Sequence, residues 1–235
     1  MYVCNNGGRF LFLDHEGLRF PGPRPLTHQG GMIQRVDLRT GKFESLYDAC
    51  NGRRLNAPND LVFDGEGGFW FTDHGTGNAD GGLFYAKPDG SSITCWKDNQ
   101  AAPNGVGLSP DERTVYFADT HPSRVWAFDL TSPGILAEQS RPQNGLLVEV
   151  PEGNLFDSLA VEAGGRVCVG TLINGGITAC ALDGSFEHHA FPDAMTTNIC
   201  FGGPQMTDAY LTLSSTGRLG KVRWPRPGLR LNFQH

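Results

Sequence analysis

A short polar opening, an apolar strand, a turn and a second apolar strand recur four times along this chain, and that recurrence limits the fold more than any other feature. It reads Asn59-Asp60-LVFDGEGGFWFTD, Asn104-Gly105-VGLSPDERTVYFAD, Asp157-Ser158-LAVEAGGRVCVGT and, more loosely, Thr197-Asn198-ICFGGPQMTDAYLTL. The lead positions 59, 104, 157 and 197 are separated by 45, 53 and 40 residues, the period of a four-stranded propeller blade rather than of a helical repeat. Radial repetition places equivalent positions of every blade around one axis. The polar residues that open the inner strands therefore meet at the mouth of a central channel, and they carry oxygen.

Composition agrees with a single all-β domain over residues 1–235. The 39% apolar share supplies a core, and 32 Gly with 15 Pro supply many tight turns. A net charge of −6 provides no basic footprint, which argues against nucleic acid or an anionic membrane as partner and makes a cation the more natural guest. There is no apolar run of about 20 residues and no secretion signal, so the expectation is a soluble, cytoplasmic protein. Six cysteines, at 4, 50, 95, 168, 180 and 200, include no C-x-x-C pair and read as free thiols.

Alternation and turn signals predict about nineteen short strands: four blades of four and a first blade of three. The tail near Leu229 to Phe233 is expected as the fourth strand of the last blade. The segment Gly7 to Gly30, with its GLRFPGPRPLTHQGG stretch, reads as a long loop over one face, a lid or rim. The inner strand of the first blade has no sequence to make it.

The segments APNDLVFDGEGGFWFTD, APNGVGLSPDERTVYFADT, FDSLAVEAGGRVCVGTLINGGIT and TTNICFGGPQMTDAYLTLSSTGRL, with YVCNNGG before them and WPRPGLRLNFQ after, resemble the senescence marker protein / gluconolactonase / luciferin-regenerating enzyme family. The resemblance covers essentially the whole chain and implies a β-propeller of the six-bladed type. About five blades are present here; the N-terminal blade and one inner strand would be missing. The family implies a divalent cation in the channel, bound by a Glu of an N-terminal E-G-P motif, by the Asn of P-N-G and by the Asp before the L-A-V strand. The last two fall on Asn104 and Asp157, and no E-G-P occurs in this chain. The Asn of P-N-D, which contacts substrate in the family, is Asn59. Some lactonase relatives use the Asp closing F-T-D as a catalytic acid or base, and Asp73 matches it. Where some relatives carry an arginine two residues before Asn59, this chain has Ala57.

Asn59, Asn104 and Asp157 are hard oxygen donors, which makes calcium the first expectation, with magnesium, manganese or zinc after it. The implied reaction is hydrolysis of a small lactone or sugar-acid lactone, with Asp157 or Asp73 taking a proton from the attacking water. The competing expectation is a propeller without catalysis, a small-molecule or calcium-binding module, because one carboxylate fewer leaves roughly millimolar calcium affinity. An incomplete ring would remain an open monomer or pair with a second chain through its open edge.

Overall fold

The computed structural model describes residues 1–139, 143–151 and 153–234. They form an all-β propeller arrangement of five antiparallel blades, with no α-helix among the described residues and therefore no helix long and apolar enough to cross a membrane. Blade I is Tyr2–Asn5, Met32–Val36 and Phe43–Tyr47. Blade II is Pro58–Phe63, Phe69–Asp73, Gly81–Ala86 and Ile93–Gln100. Blade III is Pro103–Leu108, Thr114–Asp119, Arg124–Ser132 and Leu146–Glu149, with Ile135–Leu136 also pairing with its third strand. Blade IV is Leu155–Val161, Val167–Leu172, Gly176–Cys180 and Phe186–Ala190. Blade V is Thr196–Gly202, Asp208–Leu213 and Arg218–Arg223.

Each strand hydrogen-bonds to its neighbour in sequence, and the first strands of blades II to V stand side by side around the channel. The second strands lie between two neighbouring blades, so both of their faces are covered; Phe69–Asp73 and Val167–Leu172 are buried at every position. That explains their continuous apolar runs, FWFTD and VCVGTL, where a half-exposed strand would alternate.

Four apolar clusters cement the blades in order. Ile33, Tyr47 and Leu55 meet Phe69, Phe71 and Phe84 between blades I and II. Trp70, Leu83 and Tyr85 meet Val106, Val115 and Phe117 between II and III. Tyr116 and Val125 meet Phe156, Leu159 and Val169 between III and IV, and Cys168 and Ile177 meet Ile199, Phe201 and Leu211 between IV and V. At about 1.5–3 kcal/mol for each large apolar side chain taken from water, these seams hold the blades together. Gly105 shows how close the inner strands come: a Cβ there would sit 2.3 Å from the Leu159 nitrogen.

Two segments differ from expectation. The stretch expected as a plain loop contains a hairpin, Phe12–His15 with Leu18–Pro21, whose two-residue turn places Glu16 and Gly17 at φ 51° and 78°. Such paired positive angles match the twist of a hairpin. This strap is tied at one end by Arg9, whose Nε and Nη2 donate to the carbonyls of Gly75 and Thr76, and at the other by Arg19 N–H, which donates to the Ser215 carbonyl at 3.1 Å. It thus runs from blade II to blade V.

The tail is not the fourth strand of blade V. Pro225 and Pro227 lack the N–H groups a ladder needs, so the chain leaves the sheet after Trp224. It then crosses the far end of the channel: Gly228 bridges Glu162, Leu229 N–H donates to the Val161 carbonyl at 2.8 Å, and Asn232 Nδ2 donates to the Phe63 carbonyl at 3.1 Å. Above the tail lies a cavity of about 340 Å³ bounded by the inner strands of blades II to V.

Candidate active site at the channel mouth

All four inner strands carry one extra residue at the same place. Pairing with the second strand slips between Pro58 and Leu61, Pro103 and Val106, Phe156 and Leu159, and Thr196 and Asn198. A bulge breaks the strict alternation of faces and re-aims the side chains at it. Asn59, Asn104, Asp157 and Thr197 all sit in these bulges, which is why a repeated polar residue can open an otherwise apolar strand.

Asn104 is 5% exposed; its Nδ2 donates to Thr120 Oγ1 at 3.1 Å, while its Oδ1 is buried with no hydrogen-bond partner. The Asn104 amide faces the Asp157 carboxyl. Burial pushes that carboxyl up to about 7; Asn104 and the Ser158 N–H hold it down in part, and Asp60 pushes it further up. Asp60, which follows Asn59, is pushed to about 7 as well by burial, against the pull of the Leu61 and Val106 N–H groups. Those donors lie 2.8 and 3.4 Å from its oxygens, so Asp60 ties blade II to blade III. Asn198 repeats this local pattern, its Oδ1 accepting from Ile199 N–H at 2.8 Å. Both Asp60 and Asn198 line the upper part of the cavity.

The structure thus brings Asn104 and Asp157 together, with Asp60 as a second carboxyl that the sequence reading passed over. Asn59 is half-buried in the bulge of blade II. Asp73 stands apart in kind: its oxygens accept from the backbone N–H groups of Asn56 and Ala57, each at 2.7 Å, and of Gly75 at 2.9 Å. Asp119 makes the same type of bond to Ala102 N–H at 2.7 Å in the next blade. Both carboxylates therefore staple the end of a second strand to the segment that leads into its own blade's inner strand.

The test of a cation here is the donor set. A buried amide oxygen without a partner, on the side chain that faces the Asp157 carboxyl, with Asp60 close enough to push that carboxyl up further, is what a hard divalent cation would relieve. Among the described residues no three or more His, Cys, Asp or Glu side chains converge, so zinc finds no site of its usual kind.

The two raised carboxyls make a stability prediction. A folded-state value near 7 against an unfolded value of about 3.9 means the fold favours the protonated forms. Their contribution is fully present below about pH 4 and is lost as the pH rises through 7. In chelator, the Asp60→Asn/Asp157→Asn double variant is therefore expected to melt higher than the parent at pH 8, with the difference closing by pH 4. Thermal melts across that range check it; parallel curves would mean the two carboxyls are solvated.

The SMP-30/gluconolactonase/LRE-like region matches residues 2–215. The gluconolactonase of Zymomonas mobilis is 29% identical in an alignment of 208 positions that covers 81% of this chain and 57% of that protein. The chain thus spans little more than half the length of that curated relative. Among solved structures, a gluconolactonase from Xanthomonas campestris superposes with a TM-score of 0.68 at 27% identity over 83% of this chain and 65% of that one. Regucalcin of Agrobacterium tumefaciens, a calcium-binding protein, superposes with a TM-score of 0.69 at 18% identity over 94% and 80%, a likeness of fold. With the match running from the first blade into the last, the chain belongs to the SMP-30/gluconolactonase/LRE-like family.

Proposed function

We propose that this chain is a cation-dependent lactone hydrolase of gluconolactonase type, acting at the channel mouth in the cytoplasm, where its free thiols suit a reducing compartment. The observation that carries this reading is the unpartnered Asn104 Oδ1, buried beside the Asp157 and Asp60 carboxyls. The curated relative named a gluconolactonase supports the substrate class. Asn104 and Asp157 would hold the cation, calcium before magnesium or manganese because every donor is a hard oxygen. When bound, it would supply a positive charge that polarises the lactone carbonyl.

Asp157, held near neutrality, is suited to take a proton from water as the water oxygen bonds to the carbonyl carbon, and to return it to the ring oxygen as the ring C–O bond breaks. The product is the open hydroxy acid. Asn59, two blades away on blade II, orients the lactone through its amide. Asp73 fits catalysis less well, because three backbone N–H groups occupy its oxygens. We assign it to holding the segment that carries Asn59.

A second reading, a binding module without turnover, is favoured by the small number of converging acidic groups. Hydrolysis of a panel of five- and six-membered lactones, in calcium and in chelator, separates the two. Calcium-dependent turnover supports the hydrolase. Calcium binding by calorimetry, with no turnover of any lactone, supports the module.

A further inference from the structure

We propose that His74 is a specificity residue of this site, accepting at Nδ1 a hydrogen bond from a ring hydroxyl of the bound lactone; the proposal rests on the hydrolase reading above. The His74 side chain is 6% exposed, and its Nδ1 is buried with no hydrogen-bond partner. Buried polar atoms are paired in the great majority of cases, so an unpaired one beside a candidate site calls for a partner from outside the chain.

Its position fits that role. The His74 N–H donates to the Ala57 carbonyl at 2.9 Å, two residues ahead of Asn59. The ring faces the carbonyl of Pro103, the residue before Asn104. It also lies 6.2 Å from the His121 ring, whose neighbour Thr120 accepts from Asn104 Nδ2. The imidazole therefore stands between the openings of the two inner strands that carry Asn59 and Asn104.

A neutral imidazole carries one ring proton, and the tautomer that holds it on Nε2 leaves Nδ1 as an acceptor. Burial, with His121 and Arg9 nearby, pushes the ring down to about 4, so it stays uncharged at neutral pH. An uncharged acceptor selects a hydroxyl donor and gives nothing to an anion. Phe10 of the strap packs edge-on against the ring at 5.9 Å.

The test compares glucono-δ-lactone with δ-valerolactone, the same ring without hydroxyls, for the parent, His74→Ala, His74→Gln and Phe10→Ala. A site built to bond a hydroxyl loses discrimination when the bond is removed. His74→Ala is expected to raise KM for the hydroxylated lactone roughly tenfold, with kcat and the plain lactone within about twofold. His74→Gln, which keeps an acceptor oxygen, recovers most of the loss, and Phe10→Ala leaves the preference in place. Equal losses on both lactones, or no loss, overturn the proposal. If the parent hydrolyses neither, the hydrolase reading fails, and binding of gluconolactam against valerolactam by calorimetry decides His74 alone. Tenfold weaker binding of the hydroxylated lactam by His74→Ala supports it; unchanged binding, or no binding by the parent, overturns it.

Discussion

Asp157→Asn is expected to lower kcat/KM for lactone hydrolysis by on the order of 10³ while leaving the melting temperature in chelator unchanged or higher. The two effects have one cause. Asp157 is pushed to about 7 chiefly by desolvation among the packed inner strands, with Asp60 adding to it, so removing that charge relieves the fold and disables the base. Asp73→Asn is expected to behave in the opposite way. Its carboxylate holds the N–H groups of Asn56, Ala57 and Gly75, and an amide can accept at one oxygen only, so a backbone donor is left unpaired. That costs about 1–3 kcal/mol of stability, with activity per folded molecule within about threefold. Paired measurements of melting and kcat/KM on the two variants separate the roles. A collapse of kcat/KM in Asp73→Asn with an unmoved melt would transfer the proton acceptor from Asp157 to Asp73.

The parts of this molecule that were legible in sequence are those where one physical signal acts alone. The recurring polar opening was visible at 59, 104, 157 and 197 because every inner strand repeats the same bulge. Asp60 was passed over because strict alternation turns the residue after Asn59 to the other face, and a bulge suspends that alternation. The signal was present, since position 60 is acidic where the equivalents are Gly105, Ser158 and Asn198.

The strap hairpin was hidden for a different reason. Phe12–His15 is exposed along its whole length, so it shows no buried-face pattern, and Glu16-Gly17 is a less familiar turn pair than Asn-Gly. The tail misled in the opposite sense. Leu229, Leu231 and Phe233 alternate like a strand, but the alternation serves the floor of the cavity and the Phe63 ring, 6.0 Å from Phe233, not a sheet. His74 carries no sequence signal at all, because its surroundings come from distant parts of the chain, Phe10 and His121 among them.

Glu162→Leu is expected to destabilise the protein by about 3–5 kcal/mol, on the order of 10 °C in melting temperature. Glu162 is 1% exposed, and one of its oxygens accepts from Trp224 Nε1 at 2.7 Å and from Cys168 Sγ at 3.3 Å. The other accepts from Arg226 Nε at 2.6 Å, and Arg226 in turn reaches Glu187. Every donor except Cys168 belongs to the segment that leaves blade V, so this one carboxylate fixes the tail to blade IV. Losing it strands the Trp224 and Arg226 donors and frees the strip that runs on to Phe63. The cavity below Asp60 and Asn198 would then open at its far end, and trypsin is expected to cut at Arg230 well before the blades unfold. Glu162→Gln, which keeps an acceptor for Trp224 but loses the charge opposite Arg226, should fall between. Arg226→Met is expected to destabilise to a similar degree, because it leaves the buried Glu162 carboxylate without its cation at a place water does not reach. A Glu162→Leu protein with parental melting and a tail that resists trypsin would show that the apolar contacts of Leu229, Leu231 and Phe233 hold the channel floor without the buried carboxylate.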